Sequence, residues 1–338
     1  MQEELPRPSP IRALEHNITF HFEQKNKSFC NRVLEEIKNG NIEPHFNYEI
    51  GSKIIQSPFV ICKEKTIQIQ ERFLEFMWAF IYSHWVKFEE GQMKYELNIK
   101  YGEKNEIDMT VIKRASLLRY WAFSLLNELT DWDIQLPNPN PKAYAYMSEK
   151  EKIYAEKVNT IFLDAIGILL WHEASHIINC HCEEMIKIKE KTNDKTTEQD
   201  KNFILVCEKE ADNQALEILM NEETDQPQRM LKGVSILMAF ISPLFLVKGP
   251  EKINQVYHPD LDVRLGNVLE FVGITDQVCE YYLYRFGCII LDEYFVMNST
   301  LFQNLKIYKP NTLVETAKDL FYEYLDRIEL LKRSLKNT

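Results

Sequence analysis

The sequence predicts a predominantly helical α+β protein, and three observations lead to this fold class. From Gln70 onward, apolar residues recur at intervals of three and four, which is typical of a helix face: Phe73, Phe76, Met77, Phe80 and Ile81. Residues 152–178 form one long stretch that is apolar on most sides, as in a buried helix. Short β-prone runs at residues 18–22 and 59–62 mark a smaller, mixed N-terminal region.

The remaining elements follow from the same periodicities. Residues 93–101 alternate strictly between apolar and polar side chains, which predicts a strand. A proline-rich segment at residues 137–141 cannot continue a helix. Further helices are predicted at residues 29–37, 110–129, 203–220 and 313–335, with a polar loop at 189–202. We therefore expect a small mixed α/β region at residues 1–68 and a helical domain at residues 69–338.

Charge and composition exclude several classes of partner. The chain has 40 Lys+Arg against 51 Asp+Glu, a net charge of -11, and no dense basic cluster, so we expect neither nucleic acid nor a membrane as a partner. The first residues lack the features of a signal peptide, and the most apolar stretch, residues 234–247, is too short to span a bilayer and contains Pro243. Seven scattered cysteines do not suggest a disulfide framework, so we expect a cytoplasmic protein.

The buried helix ends in the sequence His172-Glu173-Ala174-Ser175-His176. Residues i and i+4 are neighbours on a helix, so both imidazoles face one point and can bind the same zinc ion. Glu173, next to the first histidine, can reach a water molecule on that metal and take its proton. The pattern H-E-x-x-H therefore predicts one zinc per chain, with His172 and His176 as ligands and Glu173 as the catalytic base.

Two residues compete for the place of third ligand. In the metzincin arrangement a turn follows the second histidine, and the ligand position falls on Cys182, in a Cys180-His181-Cys182 segment that we interpret as packing at the end of the helix. The alternative is Glu208 on the next helix, where Asp212 shares its face and can orient a ligand histidine, while Glu210 points elsewhere. We predict Glu208 as the third ligand and Asp212 as the residue that orients a ligand histidine.

At this point the chain resembles the gluzincin peptidases, in which H-E-x-x-H is followed by E-x-x-x-D on a later helix, and among them the Lit phage-exclusion peptidases. The likeness runs from about residue 70 to 270. It rests on these stretches: Trp78-Ala79-Phe80, Pro139-x-Pro141-x-Ala143-Tyr144, the zinc motif, Glu208-x-Glu210-Ala211-Asp212, and His258-Pro259 with Arg264. The resemblance implies a gluzincin-like fold and a cytoplasmic protease that cleaves elongation factor Tu when a phage component is present.

His258 and Arg264 form an H-P-x-x-x-x-R pattern with two interpretations. A donating or positive group opposite the metal would stabilise the oxyanion of peptide hydrolysis, which makes both residues candidate catalytic groups. Alternatively, the proline starts a helix and both side chains are ordinary surface residues.

We therefore predict a zinc-dependent endopeptidase that could bind an extended protein substrate along the strand at residues 93–101. The alternatives are a metallopeptidase that cleaves a transcriptional repressor or a toxin partner, and a catalytically silent, zinc-stabilised interaction protein.

Overall fold

A computed structural model describes residues 9–52, 54–191, 197–246, 261–308 and 316–336. Its elements in chain order are α1 (Glu15–Gln24), α2 (Lys27–Lys38), β1 (Asn47–Glu49), β2 (Phe59–Ile61), β3 (Thr66–Gln70), α3 (Glu71–Val86), α4 (Lys94–Tyr101), α5 (Met109–Ser124), α6 (Glu149–Ile178), α7 (His181–Lys189), α8 (Glu198–Met220), α9 (Gln226–Leu246), α10 (Leu261–Val272), α11 (Gln277–Met297), α12 (Ser299–Asn304) and α13 (Ala317–Lys336). Short 3-10 helices cover Pro10–Leu14 and Pro141–Tyr146, and a π-helix covers Lys87–Met93. The predicted fold class, predominantly helical α+β, is confirmed.

In the part of the chain that the structure describes, three strands form one small sheet in the order β1-β3-β2. β1 runs parallel to β3, with Asn47 opposite Gln68 and Glu49 opposite Gln70. β2 is therefore an edge strand, which places its backbone groups at the border of the sheet.

The chain forms two compact units, each assembled from separate segments. The first comprises Met1–His21, Phe46–Pro58 and Gln68–Leu163, and the second comprises Phe22–His45, Phe59–Ile67 and Asp164–Thr338. Every described residue of the candidate site belongs to the second unit. The expected boundary between residues 68 and 69 stays a prediction.

Helix α3 is the core of the first unit, and it is buried along its whole length. It packs against α5, where the Phe76 and Phe80 rings both contact Phe123. Polar groups in this core are satisfied by hydrogen bonds: the indole Nε1 of Trp78 donates to Asn159 Oδ1 at 2.7 Å.

The core of the second unit is built around α11, against which both α9 and α13 pack. The approach of α11 to α13 depends on Gly287, because a Cβ atom at this position would lie only 2.7 Å from the ring of Phe321. Glycine permits such close helix contact since it has no side chain.

Two strand predictions were wrong. Residues 18–22 lie inside α1, and residues 93–101 form the end of the π-helix and α4. Alternation identifies a strand only when one of its faces is buried. Here Tyr95, Ile99 and Tyr101 are all more than half exposed, and Gly102, in the left-handed conformation at φ 68°, ends the helix. The expected substrate-binding strand at residues 93–101 is therefore absent.

Among the described residues, two helices, α6 and α9, are long and apolar enough by length and composition to cross a membrane. Helix α9 begins well before the apolar stretch at residues 234–247, so its 21 residues exceed the length expected from the sequence. Most of the apolar window of each helix is buried within the protein, 78% for α6 and 67% for α9, as in the core helices of soluble proteins. The absence of a membrane partner stays a prediction.

Cysteine pairing was missed from the sequence. Cys62, just after β2, forms a disulfide with Cys182 in α7, across a separation of 120 residues. The other five cysteines are free thiols. Since disulfides are rare in cytosolic proteins, this pair bears on the expected location, which stays a prediction.

Candidate metal centre

The C-terminal part of α6 carries the H-E-x-x-H motif in the core of the second unit. The residues around it are fully buried, including Ile168, Leu170, Trp171 and Ala174, which explains why this helix is apolar on most sides. His172 is 6% and His176 2% exposed. Their Nε2 atoms lie 3.2 Å apart, so the two imidazoles converge on one point as the i, i+4 spacing predicts.

Helix α8 brings Glu208 to the same point. Its carboxylate is fully buried, with Oε2 3.3 Å from His172 Nε2 and Oε1 3.6 Å from His176 Nε2. Together, His172, His176 and Glu208 form a buried group whose ligand atoms all lie within 4.8 Å of one another, and this group could hold a metal ion. Burying a carboxylate and two imidazoles is costly without a compensating partner, and a bound cation would provide one.

Asp212, one turn after Glu208 on α8, lies behind His172. Its Oδ1 is 2.8 Å from the outer ring nitrogen, Nδ1, of that histidine, which leaves Nε2 directed at the candidate centre. Burial opposes a charge on His172, yet Asp212, Glu208 and Glu173 together raise the pKa of this imidazole to about 10. The carboxylates therefore give the centre a negative potential that favours a cation.

Arg264 on α10 completes this side of the centre. Its Nε donates to Asp212 Oδ2 at 2.9 Å and its Nη2 to Oδ1 at 2.6 Å, a bidentate pair, while the guanidinium lies over the ring of Phe240. Burial raises the pKa of Asp212, but the Arg264 charge and His172 outweigh it and hold that pKa below its usual range. The structure thus places Arg264 against Asp212. His258, the other residue of the predicted oxyanion pair, lies outside the described residues, and its role stays a prediction.

Glu173 lies at the border of the same group. Its Oε1 is 3.9 Å from His172 Nε2, and its Oε2 accepts a hydrogen bond of 2.8 Å from the backbone N–H of Val60 in β2. The edge strand therefore runs alongside this carboxylate and fixes the orientation of its head group. No local sequence pattern links Val60 to Glu173, since 113 residues separate them.

The thiols near the centre are not part of it. Cys182, the alternative third ligand, is bonded to Cys62. Cys207, next to Glu208, is buried, and burial together with Glu210 and Glu208 raises the pKa of its thiol to about 11. A protonated thiol is neither a good metal ligand nor a nucleophile.

Two residues near the centre were not predicted to act in it. His181 Nδ1 lies 3.1 Å from the outer nitrogen, Nδ1, of His176, and His181 Nε2 lies 3.1 Å from Glu210 Oε2. The sequence interpretation assigned His181 to packing at the helix end and directed Glu210 elsewhere. Glu210 does point away from the three ligand atoms, but it contacts His181, which in turn contacts the ligand His176.

Comparison with known proteins is consistent with this chemistry. A family model described as Peptidase U49 matches residues 67–284, which is more than half of the chain and includes the three candidate ligands, Glu173, Asp212 and Arg264. No curated protein and no solved structure matches the chain. The extent of the family match establishes that this chain is a peptidase, and that it belongs to the peptidase U49 family.

Proposed function

We propose that this chain is a zinc-dependent endopeptidase that binds its metal through His172, His176 and Glu208. The spacing of the three ligand groups carries this proposal. Ligands 2.0–2.1 Å from a tetrahedral zinc lie about 3.3–3.4 Å from one another. The observed separations of 3.2, 3.3 and 3.6 Å between the three side chains are close to this value.

The donor set favours zinc in a catalytic site over zinc in a structural one. Two imidazoles and one carboxylate leave a fourth position open, whereas structural zinc sites are closed by four protein ligands. When bound, zinc polarises the carbonyl of the scissile peptide and makes a water molecule more acidic. This chemistry suits the hydrolase activity of the family.

Glu173 moves the proton in this proposal. Its Oε2 is fixed by Val60, so Oε1, the oxygen nearer to His172, is the one directed at the reacting water. The carboxylate takes a proton from the water during attack and delivers it to the leaving amine when the peptide bond breaks. In this proposal Arg264 holds Asp212, and Asp212 holds His172.

Strand β2 is the candidate binding edge for the substrate backbone, in place of the residues 93–101 expected from the sequence. It is an edge strand, and its Val60 contacts the catalytic carboxylate. A substrate in extended conformation that pairs along this edge would bring a peptide bond next to Glu173. This mode selects for unfolded or extended segments and only weakly for particular side chains.

The substrate proposal rests on the resemblance to the Lit phage-exclusion peptidases. We propose that the chain acts in the cytoplasm on elongation factor Tu, and that a phage component makes this protein cleavable. Under this scheme specificity arises from the assembly of substrate and trigger. It explains how an endopeptidase can be compatible with the cell that makes it.

The test separates metal binding from catalysis. Zinc content is measured for the wild type, His176→Ala, Glu208→Ala, Glu173→Gln and, as a matched control on the exposed face of α8, Glu217→Gln. We expect the two ligand variants to lose most of the zinc. Glu173→Gln should retain zinc and lose activity, because it lacks the base and keeps the ligands.

Activity is measured by mapping new termini after incubation with elongation factor Tu, alone and with phage lysate, and with a whole-cell lysate. One new pair of fragments that requires both zinc and the phage lysate supports the full proposal. A specific cut in another protein retains the peptidase and rejects the substrate. If the protein binds zinc but no cleavage is lost in Glu173→Gln, the result would favour the alternative of a catalytically silent, zinc-stabilised interaction protein.

A further inference from the structure

The second metal ligand has a support of its own, separate from the one behind His172. The outer nitrogen of His172 is met by Asp212 and, through it, by Arg264. The outer nitrogen of His176 is met by His181, whose far nitrogen is met by Glu210, each at 3.1 Å. Each ligand imidazole is thus connected to a carboxylate on α8. His172 contacts Asp212 directly, and His176 is linked to Glu210 through His181.

When His176 binds a metal, the hydrogen bonds that link it through His181 to Glu210 allow only one arrangement of protons. A metal ligand needs a lone pair on His176 Nε2, so the proton of that ring lies on Nδ1. His176 Nδ1–H must then donate to His181 Nδ1, which leaves the His181 proton on Nε2, from where it donates to the Glu210 carboxylate. In this series of side chains, each N–H group has an acceptor. Glu210 accepts from His181 Nε2 and thereby sets the tautomer of both rings.

The backbone after α6 is shaped to make this contact. Cys180 adopts the left-handed conformation, with φ 58°, between the end of α6 and the start of α7. This turn brings His181 back against His176, where it is 5% exposed. Asn179 holds the turn to α8 by donating to Gln214 at 3.1 Å, and the disulfide at Cys182 fixes the first turn of α7 to Cys62.

We propose that His181 and Glu210 are positioning residues that orient His176 for metal binding. This inference rests on the proposed metal site and deepens it. Partners behind a ligand histidine typically change metal affinity 10–100-fold. We expect a loss of this size for His181→Phe, which keeps a ring of similar shape and removes both nitrogens. Glu210 is about half exposed, so water can replace part of its function, and Glu210→Ala should weaken zinc binding by less, roughly 3–10-fold.

The experiment measures the dissociation constant for zinc of the full chain by competition with a chelating indicator. Glu217→Ala is the matched control, because it removes a carboxylate from the same helix two turns further on and should leave the constant unchanged. His181→Asn tests the mechanism, since its amide oxygen can accept the hydrogen bond from His176 in place of Nδ1. It should recover part of the affinity lost in His181→Phe.

A second measurement does not depend on any variant being folded. Nitrogen-15 spectra of the imidazoles in the zinc-bound wild type should show His176 protonated at Nδ1 and His181 at Nε2. The opposite tautomer of His181 would overturn the proposal, as would a folded His181→Phe variant with the zinc affinity of the wild type. If the wild type itself binds no zinc, the proposed function fails and this inference fails with it. Wild-type zinc binding that is unaffected by His181 and Glu210 rejects this inference alone.

Discussion

Replacing Arg264 by methionine distinguishes between two roles for this residue. The sequence pattern suggested that it stabilises the oxyanion, whereas its guanidinium makes two hydrogen bonds to Asp212 and lies 4.9 Å from the ring centroid of Phe240. Methionine has a similar length and can keep the apolar contact with that ring. The Arg264→Met variant therefore removes the charge and the hydrogen bonds and changes the packing little.

The magnitude follows from the burial of the pair. The side chains of Arg264 and Asp212 are 14% and 10% exposed, and removing one partner of such a pair leaves an uncompensated buried charge, which costs about 3–5 kcal/mol. Asp212 also loses the group that fixes its position behind His172. We therefore expect zinc affinity to fall about 10–100-fold, while excess zinc restores most of the turnover.

Three measurements on one variant test this reasoning. Denaturant unfolding of the metal-free protein gives the change in stability, chelator competition gives the zinc affinity, and turnover is recorded at saturating zinc. The control is Arg333→Met, which breaks a pair with Glu329 in which the Arg333 side chain is 70% exposed, and it should cost less than about 1 kcal/mol. In the double variant Arg264→Met with Asp212→Asn, the two losses should be clearly less than additive.

The opposite pattern would refute this account of Arg264. If Arg264→Met keeps the stability and zinc affinity of the wild type but lowers turnover by about 10²–10³ at saturating zinc, the residue acts on the oxyanion. The support of Asp212 would then have to come from elsewhere.

Two further predictions concern stability. Burial opposes the charge of Glu90, but hydrogen bonds from Lys94, Tyr154 and a backbone amide lower its pKa from 4.5 to about 2. The charged Glu90 therefore stabilises the fold above pH 4.5, and this stabilisation is lost as the pH falls to about 2. Glu90→Gln should therefore be less stable by about 2–3 kcal/mol at pH 7, and the difference, followed by denaturant unfolding, should shrink toward pH 2; a difference independent of pH would contradict the assignment. The Cys62–Cys182 disulfide should contribute about 2–4 kcal/mol, so Cys62→Ser and reduced wild type should unfold at the same lower denaturant concentration. Fully reduced wild type that unfolds at the same denaturant concentration as the oxidised protein would contradict this contribution.

Local periodicity explains which parts of the fold could be predicted. The helices at residues 71–86 and 149–178 have a buried face or are buried all round, so their apolar pattern reports their true period. No residue of the segment 93–101 is buried, so burial does not constrain the order of its side chains. Its alternation therefore carried no information about the backbone, and the prediction of a strand was wrong.

The sequence by itself determined the parts of the candidate centre that a single helix arranges. His172 and His176 share a face, as do Glu208 and Asp212, because residues four apart are neighbours in any α-helix. Only the tertiary structure decided which groups meet from different elements: Glu208 with the two imidazoles, Arg264 with Asp212, and Val60 with Glu173. These contacts depend on how helices and an edge strand pack, and many sequences with the same periodicity would pack differently. The return of His181 to His176 depends in addition on one left-handed residue, Cys180, and no local propensity favours cysteine in that conformation.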